Sequence, residues 1–507
     1  MVLEGKHLLE TRSVNGNFDE ASTTGHVSVP VTSYSSDEED FAWSDEENAT
    51  ASGGEEIFFD TVENLPLYVS LTHLAPERLC GGSHTIRAST SISSLIFPSS
   101  HHGHASQSNS YDIDPLYDEA EDDLGNVSAH GSVIMHLVSQ VRIGMDLTKI
   151  TLPTFILERR STLEMYADFL AHADLWASIT EHDHERDRFV CALRWYLSAF
   201  HAGRRSPVAK KPYNPILGEI FRCYWDLEKS SVRAPDDKNS RRPVPWAPDN
   251  AVCFIAEQVS HHPPISAFYA EHKSRGIICQ GSLWTKSKFL GLSIGVEMVG
   301  SATLSVLDLE EDYTVTFPGA YGRNILSVPW VELGGKCSVS CEKTGYYANV
   351  EFKTKPFYGG KKDQIRVEAF GPDWEGGKKP FLVVEGEWNS VMMANWADGR
   401  SEVFFDTRKS AVCAKRVRPR FEQENFESRK LWQDVTMHLK RGTIEQATEA
   451  KSILEQRQRE EAKHRRENNL DWKPRFFFSE DNTWLYRWPM TREEHQKKTT
   501  SSTPEIN

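Results

Sequence analysis

From about residue 216 to 396 the chain alternates apolar and polar residues in short runs, the period-two signature of half-buried strands. The runs fall at 251–257, 266–271, 277–284, 302–307, 313–317, 336–341, 347–353, 364–370 and 381–388. Gly334-Gly335, Gly359-Gly360 and Gly376-Gly377 supply turn signals among them. Many short strands with regular turns predict an antiparallel sandwich or barrel. Helical spacing flanks this region. Over 160–177, Leu163, Tyr166, Phe169, Leu170 and Ala173 predict one helix, and Phe189, Leu193, Tyr196, Leu197 and Phe200 a second that leaves at Gly203. Past Trp396 the pattern reads as helical again. Thr443-Ile444-Glu445-Gln446 has the form of a capping box, opening a helix that runs to about 467. Further upstream, Val133 to Val138 with Val141 and Ile143 predict a short amphipathic helix ending near Gly144. The fold class is α+β.

The first 130 residues show no sustained period. Ser, Thr, Gly, Asp and Glu dominate, and such a stretch cannot bury enough apolar surface to offset its ordering entropy. Residues 1–130 therefore read as a disordered acidic tail, 131–490 as one large domain and 491–507 as a disordered C-terminal tail. The 507 residues are 39% hydrophobic, which supports a sizeable core. A formal charge of -15 argues against general nucleic-acid binding. No apolar run approaches about 18 residues, so no membrane span is predicted. Met1-Val2-Leu3-Glu4 offers neither a secretory signal nor a myristoylation site. Cys337 and Cys341 share one strand face without a second ligand pair, so no metal site is predicted and the eight cysteines read as reduced cytosolic thiols. His101-His102-Gly103-His104 reads as part of the solvated tail.

Three groups of residues carry candidate chemistry. Glu257-Gln258-Val259-Ser260-His261-His262-Pro263-Pro264 ends an alternating run, Val252, Phe254, Ala256. Adjacent strand side chains diverge, but two prolines stop the ladder and bend the backbone, turning both imidazoles toward one mouth. Two cationic donors there suit an anionic group. Upstream stands Lys211-Pro212-Tyr213-Asn214-Pro215-Ile216-Leu217-Gly218-Glu219, whose prolines stiffen the loop carrying Lys211 and Asn214. On the late helix Lys451, Glu455 and Arg459 follow at four-residue intervals as one drifting stripe. Taken alone, that stripe is an ordinary solvated face worth a few tenths of a kcal/mol per pair.

The first two blocks, in this order, resemble the fingerprints of the oxysterol-binding protein family. Trp284 to Gly291 and Thr354 to Lys361 look most like one subgroup of it. The resemblance covers about 132–488. It implies a large, nearly closed antiparallel β-barrel around a lipid tunnel, with flanking helices and an N-terminal lid at about 132–155. It also implies a carrier, not an enzyme, that needs no cofactor. Its cargo would be phosphatidylinositol 4-phosphate, exchanged for phosphatidylserine or a sterol. The headgroup residues carried over are Lys211, Asn214, His261, His262, Lys451, Glu455 and Arg459. Glu455 would position Lys451 and Arg459 or accept inositol hydroxyls. Leu147 and Thr148 would be the lid positions nearest the lipid. The physics suits such a carrier. A 16-carbon chain costs roughly 12 kcal/mol to expose at about 0.8 kcal/mol per methylene, while the phosphates require charge-assisted hydrogen bonds.

One island interrupts the acidic tail. Ile57-Phe58-Phe59-Asp60-Thr61-Val62-Glu63 sets two aromatics among carboxylates, an arrangement that suits docking on a basic groove. Phe58, Phe59, Asp60 and Glu63 resemble the FFAT motif, which implies VAP proteins of the endoplasmic reticulum as partners. Ile57 stands where Glu is preferred and Thr61 where Ala is preferred, which lowers the expected affinity. Ser35, Ser36 and Ser44 would add charge if phosphorylated. The expected location is cytosolic and peripheral at endoplasmic reticulum and Golgi membranes. No pleckstrin-homology domain is read ahead of the tail, so targeting to a second membrane would fall to the lid, to basic patches such as 353–362, or to a related family member as dimer partner. Two rivals stand beside this reading. One is a scaffold that binds lipid without moving it. The other is a hydrolase built on Gly291-Leu292-Ser293-Ile294-Gly295, a pattern with meaning only at a strand-to-helix turn.

Overall fold

A computed structural model describes residues 154–501, apart from 204–209, 229–240, 292, 325–329, 357 and 373–378. The tail carrying Phe58, Phe59, Asp60 and Glu63, and the lid positions Leu147 and Thr148, lie outside the described residues.

The described chain opens with β1 (Leu157–Ser161), α1 (Thr162–Ala167), α2 (Ala173–Ser178) and α3 (Glu185–Ala202), then β2 (Lys211–Tyr213), which pairs in parallel with β1. The single helix predicted over 160–177 is broken. Arg160 belongs to β1, where it is buried with Glu158 and Asp168 as ionic partners and donates to Gly203 O at 2.9 Å. The Ala171 carbonyl, which a continuous helix would use internally, accepts from Cys413 N at 2.8 Å instead. Both partners are distant in sequence, so local periodicity could not register the break. The second helix forms as its spacing predicts, with Gly203 as its C-cap.

The centre is one 14-stranded antiparallel sheet. Its strands are β3 (Ile220–Trp225), β4 (Val252–Gln258), β5 (Ser266–His272), β6 (Ile277–Phe289), β7 (Ser293–Val306), β8 (Glu311–Thr316), β9 (Gly319–Arg323), β10 (Trp330–Cys341), β11 (Tyr346–Lys353), β12 (Gln364–Phe370), β13 (Leu382–Glu387), β14 (Val391–Trp396), β15 (Ser401–Asp406) and β16 (Lys415–Arg416). Neighbours follow sequence order from β3 to β8 and from β10 to β15. β8 pairs with β10, β9 bridges β7 and β10, and β16 returns to the free edge of β3.

Contacts of α3 reveal the curvature. Arg194 Nε donates to Phe404 O on β15 at 3.1 Å, and Tyr196 OH, two residues on, donates to Thr316 O on β8 at 2.7 Å. In a flat sheet those strands would lie about 29 Å apart, more than twice the width of a helix. The sheet must therefore curl around α3, which also stacks Phe189 on Tyr346 and buries Arg188 against Glu311. At the opposite edge Lys415 of β16 reaches Glu164 of α1 at 3.1 Å. Helices thus occupy the seam of a nearly closed barrel.

β3, β4 and β5 are buried on both faces. Their outer side is covered by Val244 and Trp246 and by the hairpin β17 (Phe477–Glu480) and β18 (Thr483–Tyr486). Four helices lie around this hairpin in the described chain: α4 (Ser428–Leu431), α5 (Gln433–Lys440) and α6 (Ile444–Glu467) precede it, and α7 (Arg492–Ser501) follows.

Three further expectations are corrected. The region after Trp396 is not yet helical: β15 and β16 follow, and a register shift between Met392 and Met393 disturbs the alternation that would announce β14 and β15. The capping box at Thr443 does not form. Its hydroxyl donates to His438 O at 3.2 Å instead of capping α6. Residues 492–501 of the expected disordered tail are helical, held by buried His495, whose Nδ1 lies 2.9 Å from Lys273 O, and by an Arg492–Glu310 ion pair.

Candidate functional site

The two sequence blocks meet through backbone hydrogen bonds. Gly218 N donates to Gln258 O and Gln258 N donates to Glu219 O, both at 2.9 Å, extending the β3–β4 ladder into the loops. Their carboxylates act as internal fasteners. Glu219 is fully buried and accepts from the Ser161 and Ser428 hydroxyls, from Trp432 Nε1 at 2.9 Å and from Ile216 N at 3.0 Å. Burial raises its pKa, and those donors oppose the rise. Glu257 accepts from Arg475 N at 2.7 Å and Phe476 N at 2.8 Å, tying the block to the C-terminal hairpin.

The histidines occupy the β4–β5 turn. Pairing ends at Gln258–Ser266, and Val259 N donates to Ile265 O at 3.0 Å across the loop. The imidazoles lie edge to face with centres 4.6 Å apart, His261 half-buried and His262 exposed.

α6 straps both loops. Gln458 Oε1 accepts from Leu217 N at 2.9 Å, so its amide nitrogen is the atom 2.9 Å from His261 Nε2. An NH2 group only donates; His261 Nε2 is thus the acceptor and the ring proton sits on Nδ1. Nδ1 is buried and has no hydrogen-bond partner among the described residues. Burial, then His262 and Arg465, push the His261 pKa down to about 4. The expected cationic pair is corrected on this point: His261 is neutral at pH 7.

Lys451, about two turns earlier on α6 than Gln458, is ion-paired with Glu455. Lys211 keeps exposed surface, yet protein crowded around it and the charge of Lys451 lower its pKa, with Glu455 opposing. Lys211, Lys451 and Glu455 therefore form one electrostatic group. Asn214 is exposed on the following loop. Arg459 is exposed on α6, its Nε donating to Gln456 Oε1 at 3.1 Å.

Sequence reasoning missed Gln458, although 451, 455 and 458 describe a tighter helical face than 451, 455 and 459. It also missed Trp472, which lies over Gly218: a Cβ on that glycine, at φ +80°, would sit 2.6 Å from the indole. The Arg465 guanidinium is 5.3 Å from the same ring. Ser293 opens β7 at a hairpin turn closed by Leu290 N donating to Ser293 O at 2.8 Å, and its hydroxyl accepts from Arg323 at 3.2 Å. That is not the strand-to-helix turn of a nucleophile elbow. Among the described residues no group of three or more His, Cys, Asp or Glu could hold a metal ion, and no helix is long and apolar enough to cross a membrane.

A curled sheet with helices in its seam thus carries a polar rim made by two loops and a strapping helix. The family model described as oxysterol-binding protein matches residues 136–440, and the chain belongs to the oxysterol-binding protein family. α6, with Lys451, Glu455, Gln458 and Arg459, lies beyond the matched residues. The chain is 49% identical over 473 residues to oxysterol-binding protein-related protein 9 of Mus musculus and of Homo sapiens, covering 92% of this chain and 61% of those proteins. It thus spans less than two thirds of these relatives' length. It is 47% identical over 393 residues to human oxysterol-binding protein-related protein 11, covering 75% of this chain and 52% of that one. The Osh1 ORD domain in complex with cholesterol aligns with a TM-score of 0.57 at 22% identity, covering 77% of this chain and 93% of that one. The Osh3 ORD in complex with PI(4)P from Saccharomyces cerevisiae aligns at 0.53 and 20%, covering 78% and 98%. At such identities these structures share the fold.

Proposed function

We propose that the chain is a non-vesicular lipid transfer protein. It binds phosphatidylinositol 4-phosphate and exchanges it for phosphatidylserine or a sterol between the endoplasmic reticulum and the Golgi or another membrane. The observation that carries this reading is the rim itself, where the ladder between Gly218 and Gln258 joins the two loops and Gln458 ties both to α6. Lys211 and Lys451 supply cations, and His261 presents a buried Nδ1–H with its proton already placed. Asn214, His262 and Arg459 offer exposed donors around them. Glu455 holds Lys451 in position and accepts a sugar hydroxyl. Phosphate oxygens accept such donors through charge-assisted bonds, while the acyl chains enter the barrel and residues 132–155, with Leu147 and Thr148, cover them. No group in this arrangement needs to make or break a covalent bond. The family membership and the lipids named in the two related complexes support the reading.

The test is extraction of phosphatidylinositol 4-phosphate from liposomes, followed by transfer between two liposome populations, one carrying phosphatidylserine or sterol. His261→Ala with His262→Ala is expected to abolish extraction; intact extraction overturns the headgroup site. Extraction without net transfer would make the chain a sensor. Docking to VAP proteins through Phe58, Phe59, Asp60 and Glu63 belongs to the same proposal, and Phe58→Ala with Phe59→Ala should remove it. A cytosolic protein peripheral at endoplasmic reticulum and Golgi membranes, paired with a related family member for targeting, follows from that scheme.

A further inference from the structure

Strand register carries part of the sheet past the headgroup loops. The last β4–β5 rung joins Gln258 to Ser266, and Ser266 pairs with Leu283 on β6. β6 continues through residues 284–289, where it pairs with β7. At about 3.3 Å per residue this overhang projects about 20 Å beyond the base of the His261–His262 turn, at the same end of the barrel. β9 and the start of β10 widen it through Ser293–Arg323, Gly295–Tyr321 and Trp330–Arg323 pairs.

Alternation assigns the faces. Leu283 belongs to the barrel interior, so Trp284, Lys286 and Lys288 face outward, and the paired strands add Tyr321, Arg323 and Trp330. Cations cover the rings: Lys286 lies 5.1 Å from the Trp284 centre, Arg323 4.6 Å from Tyr321 and Lys362 4.2 Å from Trp330. Lys355 N donates to Glu332 Oε2 at 2.8 Å, pinning the following loop, and Tyr358 there is 88% exposed. Leu290, 43% exposed, folds over Gly295 beside Tyr321. Glu297 opposite Lys286, Glu332 beside Arg323 and Glu387 beside Lys361 are outnumbered by the cations of this face. The excess is local in a chain whose formal charge is -15.

We propose that the outward face of this overhang is the surface on which the protein sits on an anionic bilayer. Lysines attract the charged headgroup layer, half-exposed aromatics suit its interface, and Leu290 and Tyr358 at the tips have an apolar phase to enter. A polyanion without an apolar interior would use only the cations. Seated this way, the rim carrying His261 and Lys451 faces the same membrane. That last step rests on the function proposed above; the docking surface does not.

The test is flotation of the full chain with vesicles of phosphatidylcholine alone, or with added phosphatidylserine, none containing a phosphoinositide. The wild type should float with the anionic vesicles and lose binding as salt rises. Lys286→Glu with Lys288→Glu, and Lys361→Glu with Lys362→Glu, should each lower binding by about tenfold or more. Leu290→Ser with Tyr358→Ser should reduce the part that survives high salt. Arg275→Glu with Lys343→Glu, an equal charge change in the β5–β6 and β10–β11 turns at the opposite end of the strands, should float unchanged, which separates this surface from a general loss of positive charge. Unaltered thermal unfolding certifies each variant as folded. Folded charge-reversal variants that float like wild type overturn the proposal, as does a wild type that does not prefer anionic vesicles. A variant that keeps flotation but changes oligomeric state in sedimentation also overturns it, giving the face to a protein partner.

Discussion

Replacing Gln458 with leucine removes the clamp between the two loops while nearly preserving side-chain volume. The amide makes two hydrogen bonds, accepting from Leu217 N and donating to His261 Nε2, each at 2.9 Å. Each is worth about 1 kcal/mol net, so the variant loses about 2 kcal/mol of loop organisation. If all of that appears in headgroup binding, affinity falls about thirtyfold. The imidazole provides a readout that a purely structural role would not move. With Gln458 present the ring proton is held on Nδ1; without it, both neutral tautomers become accessible. Gln458→Glu makes the complementary test, because a carboxylate accepts from both Leu217 N and the ring. It should favour the proton on Nε2 and raise the His261 pKa from about 4. The assay is ring-nitrogen NMR of labelled histidine combined with titration by a water-soluble inositol phosphate. Unchanged ring-nitrogen shifts together with wild-type affinity in both variants would refute the reasoning.

Glu219→Ala deprives four buried donors of their acceptor and should cost about 3 kcal/mol in urea unfolding; a loss below about 1 kcal/mol would make Glu219 dispensable. Gly218→Ala strains a left-handed residue and drives a methyl into Trp472, so about 1–2 kcal/mol of destabilisation and altered tryptophan fluorescence are expected, and an unchanged spectrum contradicts the packing. His201, His261 and His272 have pKa values lowered from 6.5 to about 4, burial being the largest cause for each. Between those values the unfolded chain binds more protons than the folded one, so their contribution to stability is intact above about pH 6.5 and is lost as pH falls toward 4. The melting temperature should drop between pH 7 and pH 4.5, and a flat or rising profile sinks that assignment.

How much of this was legible beforehand depends on whether a residue's partners were local. β12, alternating strictly between half-buried and buried, announces itself in the sequence. β4 does not alternate in burial at all, because a hairpin from the far end of the chain covers its second face. The break between α1 and α2 depends on Cys413, more than two hundred residues away, and so had no local signature. β6 and β7 run farther than predicted because Lys286, Ser287 and Lys288 are too polar to suggest a buried strand, yet pair fully with β7. For the site, the residue types of the two loops were informative, and the helix spacing drew attention to α6. Neither disclosed that Glu219 and Glu257 are buried fasteners, since a carboxylate reads as solvated until its donors are known.

The charge state of His261 changes how the rim is understood. A permanently charged His261 beside Arg465, on a rim that also carries Lys211 and Lys451, would load the empty site with like-charge repulsion, and the fold would have to oppose it continuously. Burial opposes that load by keeping the His261 ring neutral, and Gln458 decides which of its nitrogens holds the remaining proton. In the function proposed above, an arriving phosphate would reverse the balance, since a nearby anion stabilises the imidazolium of His261 and the ammonium of Lys211 alike. Attraction is thereby concentrated in the loaded state instead of being built permanently into the empty one. For the carrier proposed above, which would surrender its cargo as readily as it takes it, a rim whose charge depends on the ligand is better suited than one that is cationic throughout, because part of the grip would disappear with the phosphate that induced it.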